Sequence, residues 1–378
     1  MISKKILIPT VARSDFGIMK NIIKTFYNDK YINTKLLVIG SHFSKIFGST
    51  INEIKNENIK NFHKISYDIS NSKFDKTLLY ISDLMRKLNN YLKSRKYDFC
   101  IILGDRYEML AIAIACKLFG IKIIHFCGGS ITKGALDEYY RNCITKLSDY
   151  HFVETKYHLN NLVKYNGISK RDIFLYGAPA LENLKSLSFV DKNTLLKKIN
   201  LKKFNNKIAI FTYHSETKLS KKENINQLNE LLKFLKIIIK KFKYKIIITS
   251  PNADSHYKQI IKLKLNFCKK NLDAMYIAHM GINNYYNLMN ISNVMIGNSS
   301  SGIIEAKKFN LPVLNCGNRQ LGRYCANNVI TSQVKLKKLL KNFNLLTSFK
   351  NIKKIKKGKN PYELKMNSNS LLKFVKKI

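Results

Sequence analysis

Several short polar stretches in this chain place acids, bases and hydroxyls where they could act together. Gly104-Asp105-Arg106 sets a carboxylate behind a glycine that lets a ligand approach closely, so Asp105 is either a general acid or base or a cap on the following helix. Gly128-Gly129 is followed by Asp137 and Glu138, with Arg141 one helical turn on. A carboxylate beside an arginine stays ionised and can act as a base, whereas one in a drier pocket gains a raised pKa and can act as an acid. The plain alternative is an acidic first turn with an ordinary intrahelical ion pair. Stretch 10–17 carries Arg13 and Asp15 in a polar turn that opens a helix, which suits a diphosphate, or simply a helix capped by Ser14 or Asp15. His214, as a protonated imidazole, would stabilise charge on a departing phosphate oxygen, though a lone histidine also serves structure alone. Ser299-Ser300-Ser301-Gly302 offers hydroxyls and N–H groups to phosphate, with Glu305 one turn on able to take two ribose hydroxyls; a simple serine N-cap is the competing reading. Asn252 lies in a further polar, turn-forming edge.

These stretches share a position. Each follows a short apolar, β-branched run, and the runs alternate with helical patterns, which is the signature of parallel sheets built from βαβ units. Strands are expected over 5–10, 35–40, 99–104, 121–126 and 150–154, with helices over 17–28, 77–94 and 108–119. The pattern begins again with strands over 207–213, 245–250, 274–278, 293–297 and 312–315. The fold class is therefore α/β with two Rossmann-like halves. Gly177-Ala178-Pro179 closes the first half, and 184–203 bridges to the second. Open parallel sheets bind ligands beyond the carboxyl ends of their strands, so a cleft between the halves is expected. No G-x-x-x-x-G-K-[ST] pattern occurs, and ATP hydrolysis is not implied.

Composition narrows the function class. At 378 residues the chain suits two domains of roughly 150 residues or more, and 45% hydrophobic residues are ample for their cores. A net charge of +43, from 67 Lys+Arg against 24 Asp+Glu, raises the question of nucleic acid or an anionic membrane. The lysines, however, are scattered among Asn and Ile along the whole chain, so no nucleic-acid partner is expected. Even the densest tract, from Lys335 onward with fourteen Lys and one Glu, has helical apolar spacing that reads equally well as a solvated face. Seven cysteines without a CxxC pair argue against disulfides and structural zinc, and fit a cytoplasmic protein. No run approaches the ~18 apolar residues of a membrane span.

Together the stretches resemble the hydrolysing UDP-N-acetylglucosamine 2-epimerases of sialic-acid-type sugar synthesis. That family's T-G-T-R-A-D-Y-G is mirrored over 10–17, with Thr10, Arg13, Asp15 and Gly17 retained; G-D-R-x-E-M stands at 104–109. G-G-x-x-T-x-G-A-x-D-E-x-x-R is matched over 128–141, T-Y-H-x-E-T over 212–217 and P-N-A-D over 251–254. G-N-S-S-S-G-I-I-E-A stands intact over 297–306, and Arg319-Gln320-x-Gly322-Arg323 follows. The resemblance implies the GT-B-like nucleotide-sugar fold. Residues 1–184 would carry the acid–base groups, 185–358 the nucleotide site, and 359–378 a helix returning to the first domain. It implies removal of the sugar's C2 proton, expulsion of the nucleoside diphosphate, and addition of water with inverted C2 stereochemistry. Asp105 and Asp137 would be the acid–base pair, with Glu138 in reserve. His214 and Arg13 would stabilise the leaving diphosphate, with Asp15, Asn252 and Arg319 in the same binding set. Ser299, Ser300, Ser301 and Gly302 would bind it, and Glu305 the ribose. No metal and no cofactor are required, and the fold often pairs as a homodimer. Two departures stand out: Ser130 replaces the acidic residue that commonly follows the double glycine, and Tyr324-Cys325-Ala326-Asn327 replaces a more charged segment. A UDP- or GDP-linked 2,4-diacetamido sugar is thus an alternative substrate to UDP-N-acetylglucosamine. A glycosyltransferase of the same fold and a non-catalytic nucleotide-sugar-binding protein are the rival functions.

Overall fold

The computed structural model describes residues 4–43, 50–66, 74–200, 204–252 and 254–378. Ala253 of the 251–254 stretch and the last three residues of the 184–203 bridge lie outside these. The chain forms two compact units, one made of 1–130, 137–186 and 362–378, the other of 131–136 and 187–361.

The first unit runs β1 (Lys4–Thr10), α1 (Arg13–Tyr27), β2 (Ile32–Ile39), α2 (Ile51–Asn56), β3 (Phe62–Ile65), α3 (Phe74–Leu92) and β4 (Phe99–Leu103). It continues with α4 (Tyr107–Leu118), β5 (Lys122–Phe126), α5 (Asp137–Leu147), β6 (Tyr150–Val153), α6 (Lys156–Val163) and β7 (Ile173–Leu175). Its seven strands are all parallel, in the order β3-β2-β1-β4-β5-β6-β7. Strands covered on both faces need near-continuous apolar runs, and β4, Phe-Cys-Ile-Ile-Leu, is buried at every position. The edge strands β3 and β7 were not anticipated; β3 interrupts its apolar residues with His63 and Lys64, which an edge tolerates.

The second unit runs α7 (Lys192–Lys198), β8 (Lys207–Thr212), α8 (Lys221–Phe242), β9 (Tyr244–Thr249), α9 (Tyr257–Lys269) and β10 (Ala274–Ile277). It continues through α10 (Gly281–Ile291), β11 (Val294–Gly297), α11 (Ser300–Ile304), β12 (Val313–Cys316), β13 (Val329–Ser332), α12 (Leu336–Thr347) and α13 (Phe349–Lys357). Six parallel strands take the order β10-β9-β8-β11-β12-β13. The helix α8 starts at a full capping box, Ser220 with Glu223, before a long amphipathic run. Segment 131–136 joins this unit through the backbone: Lys133 N donates to Leu321 O (2.9 Å) and Leu136 N to Thr217 Oγ1 (2.9 Å). A side chain at Gly134 would stand 1.8 Å from Asn318 O, so only glycine fits there.

The chain then returns to the first unit. The helix α14 (Ser368–Lys377) buries Leu371 and Val375 in the core that holds Ile22, Phe26 and Phe152. Glu182 fixes its start, accepting from Ser368 N (2.9 Å) and Ser368 Oγ (2.8 Å). Among the described residues no helix is long and apolar enough to cross a membrane.

Where β11 ends beside β8, Gly297 has φ +133°, and a Cβ would lie 1.8 Å from Thr212 O. Strain and overlap together predict that Gly297→Ala lowers stability by about 2–4 kcal/mol, read as a lower urea midpoint with an unchanged slope.

Candidate functional site

In the first unit the strands β1, β4 and β5 are neighbours, so the loops that follow them share one edge of the sheet. The organiser of this edge is Arg141, fully buried on α5. Its Nη1 donates to Glu138 Oε2 (2.8 Å) and to Ser130 O (2.8 Å), and its Nη2 pairs with Asp105. Burial alone would pull the guanidinium pKa down; Asp105, Glu138 and Asp137 outweigh it and hold the charge in place. Asp105 and Glu138 are both in direct contact with the cation. Asp137, the first residue of α5, adds to the negative field that holds the charge.

A second network lies along the same edge. Glu108, 2% exposed, accepts from Arg106 Nε (3.1 Å). Asp15, also buried, has its pKa raised to about 6 by burial, with Arg106 opposing and Glu108 adding to the rise. The expected helix 17–28 starts earlier, at Arg13, with Ala12 in extended conformation at its N-cap and no side chain capping it. Arg13 and Asp15 therefore belong to the first helical turn, and neither Ser14 nor Asp15 is the cap. Asp15 Oδ2 instead reaches back to Val11 N (3.4 Å). His125 pins β5 to β4: its Nε2 donates to Gly104 O (2.8 Å), and burial lowers its pKa to about 3, so it stays neutral.

The second unit gathers its polar loops around Asn298, which is fully buried at the end of β11. The Asn298 amide clamps one residue from both sides: Oδ1 accepts from His214 N (2.8 Å) and Nδ2 donates to His214 O (2.8 Å). Asn298 O in turn accepts from Arg319 Nη1 (3.2 Å) and Gln320 Nε2 (2.9 Å). Asn252 N donates to His214 Nδ1 at 2.9 Å. A backbone N–H can only donate, so Nδ1 is unprotonated and the ring proton belongs to Nε2. With that hydrogen bond in place the imidazole takes the Nε2–H tautomer. Arg319 Nη2 lies 3.7 Å from Asp254 Oδ2. The turn 317–319 is anchored by Glu216, whose Oε1 accepts from Asn318 N (3.0 Å) and whose pKa burial raises.

The serines after β11 satisfy the local reading first. Ser299 is the N-cap of α11, accepting from Ser301 N (3.4 Å), and Ser301 Oγ lies 2.9 Å from Ser299 Oγ and 2.8 Å from Tyr285 OH. Gly302 has a packing cause, because a Cβ would stand 2.9 Å from Val313 Cγ1. Ser300 is half-buried, and Glu305, buried, directly follows the five-residue α11 rather than sitting inside a longer helix. Sequence reasoning therefore missed Arg106, Glu108, His125, Glu216 and Asn298 as organisers. Their signal was position, at the end of a strand or in the loop or first helical turn that follows it, and not a recognisable chemistry.

The family model described as UDP-N-acetylglucosamine 2-epimerase matches residues 24–376 of the chain. The GDP/UDP-N,N'-diacetylbacillosamine 2-epimerase (hydrolyzing) of Campylobacter jejuni is 33% identical over 335 residues, 88% of this chain and 85% of that one. The UDP-N,N'-diacetylbacillosamine 2-epimerase (hydrolyzing) of Legionella pneumophila is 30% identical over 333 residues, again 88% and 85%. The crystal structure of the Neisseria meningitidis UDP-GlcNAc 2-epimerase bound to UDP-GlcNAc shares the fold, with a TM-score of 0.82 at 17% identity over 99% of this chain and 100% of that one. The chain belongs to the UDP-N-acetylglucosamine 2-epimerase family.

Proposed function

We propose that the protein is a hydrolysing 2-epimerase acting on a nucleoside-diphosphate-linked 2-acetamido sugar. The observation that carries this reading is the collection of Asp105, Glu138 and Asp137 around the buried Arg141 at one sheet edge. Elimination and hydration need one group to take the C2 proton and one to return a proton to C2 from the other face. In the first half-reaction the C2–H pair becomes the C1–C2 double bond, and the C1–O bond breaks toward the diphosphate. In the second, water supplies the C1 hydroxyl. Asp105 and Asp137 are assigned to the two proton transfers, with Glu138 in reserve. His214, through Nε2–H, and Arg13 are assigned to the leaving diphosphate, with Arg319 and Asn252 supporting them; Asp15 is assigned to the same binding set. Ser299, Ser300, Ser301 and Gly302 are assigned to phosphate and Glu305 to ribose. A substrate with a second acetamido group, on UDP or GDP, is favoured over UDP-N-acetylglucosamine by the names of the two relatives and by Ser130 in place of the customary acid.

Incubation in deuterated water with each of these nucleotide sugars, and no acceptor, should release nucleoside diphosphate and place deuterium at C2 of the free sugar. Protium at C2, or release that depends on an added acceptor, would sink the reading in favour of a glycosyltransferase. Asp105→Asn should cut kcat by about 10²–10⁴ while leaving UDP affinity within a few-fold. Because it also unbalances Arg141, its melting temperature should fall. Glu305→Ala should instead weaken UDP binding roughly tenfold with a smaller effect on kcat.

Asp15 gives a pH signature of its own. Folded, it keeps its proton up to about pH 6; unfolded, only to the ordinary aspartate value of 3.8. The stability it contributes is full below the lower value and is lost as pH rises through the upper one. Relative to Asp15→Asn, the wild-type protein should thus lose roughly 3 kcal/mol between about pH 4 and pH 7 in urea titrations.

A further inference from the structure

Lysine is abundant on this chain's surface, yet Lys264 is fully buried. It occupies a core position of α9, on the face that also buries Tyr257, Ile260 and Phe267. Its ammonium nitrogen lies 2.9 Å from Tyr213 O, 3.0 Å from Thr249 O and 5.8 Å from the centroid of the Phe211 ring. No carboxylate is among these partners. A buried cation without a counter-ion is costly, and burial lowers the Lys264 pKa to about 7, with Cys268 opposing. A neutral amine still has two N–H bonds, matching the two carbonyls in number.

Those two carbonyls are significant for where they lie. Tyr213 O belongs to the peptide unit whose N–H is that of His214, the same N–H that Asn298 Oδ1 receives. Thr249 O ends β9, just before the turn that carries the Asn252 N–H to His214 Nδ1. Lys264 thus grips the backbone on both sides of the contact that fixes the imidazole. We infer that Lys264 is a positioning residue that sets the orientation and tautomer of His214 by tying the end of β8 to the end of β9. Its bearing on catalysis rests on the reading of His214 as a partner of the diphosphate, but the positioning itself does not.

The full-length protein labelled with ¹⁵N-histidine tests this directly. In the wild type, His214 should show a pyridine-type Nδ1 and a protonated Nε2. In Lys264→Met, which keeps the bulk and removes both donors, the two nitrogen shifts should move toward a tautomer average, and UDP affinity should fall about tenfold. Lys264→Gln, which retains an NH₂ group, should lie between them and replaces the Met variant if that fails to fold. Ile260→Val, in the same buried face of α9, should leave His214 and UDP affinity unchanged and so controls for loss of packing. Wild-type His214 shifts in folded Lys264→Met would overturn the inference. Altered shifts with unchanged UDP affinity would uphold the positioning role and instead remove His214 from the diphosphate site.

Discussion

A guanidinium sealed from solvent constrains everything around it. Arg141 has no solvent contact, and removing an ion of that size from water costs several kcal/mol even after relaxation. The fold meets this by aiming Asp105 from the end of β4, Glu138 from α5 and the Ser130 carbonyl from the end of β5 at one planar group. Three separate pieces of chain are thereby forced into register. The carboxylates cannot drift without leaving a buried charge unpaired, so their geometry is set by electrostatics before any ligand arrives. His125 adds a neutral tie between the same two strands, holding the Gly104 carbonyl beside Asp105.

The second unit reaches comparable order with almost no charge. Asn298 presents both an acceptor and a donor to His214, and its own carbonyl takes two more donors. Apart from the charge-assisted bond from Arg319, these are neutral hydrogen bonds that contribute only about 1 kcal/mol each, but leaving a buried member unsatisfied costs more, so the network holds as a whole. One edge is thus rigid around a cation and rich in carboxylates, the other rigid around amides. That division suits proton transfer in the first and recognition of an anion in the second.

Much of this was legible in the sequence, and the exceptions have physical reasons. The central parallel strands were readable because burial on both faces demands unbroken apolar runs, and the polar residues directly after them were readable because such sheets put function at that edge. The strands β3, β7 and β13 escaped because short edge strands need neither length nor continuous apolarity. The start of α1 was placed too late because Ala12 caps it by conformation alone, with no side-chain signal. Which acid would contact Arg141, and which nitrogen of His214 would hold the proton, depend on partners far away in the chain. Lys264 was hidden by its own abundance: among so many lysines, one at a core position leaves no mark. The exchange of 131–136 into the second unit is equally silent, apart from Gly134, whose necessity comes from the backbone of Asn318 and Arg319.

The interleaving of the two units has a consequence for synthesis. A nascent chain emerging from the ribosome displays β1 to β7 long before α14 exists, so the patch that Leu371 and Val375 eventually cover must wait through the translation of β8 to β13. The first body can complete its core only after the second has been made, and the interval in between is when a chaperone would find exposed hydrocarbon to hold.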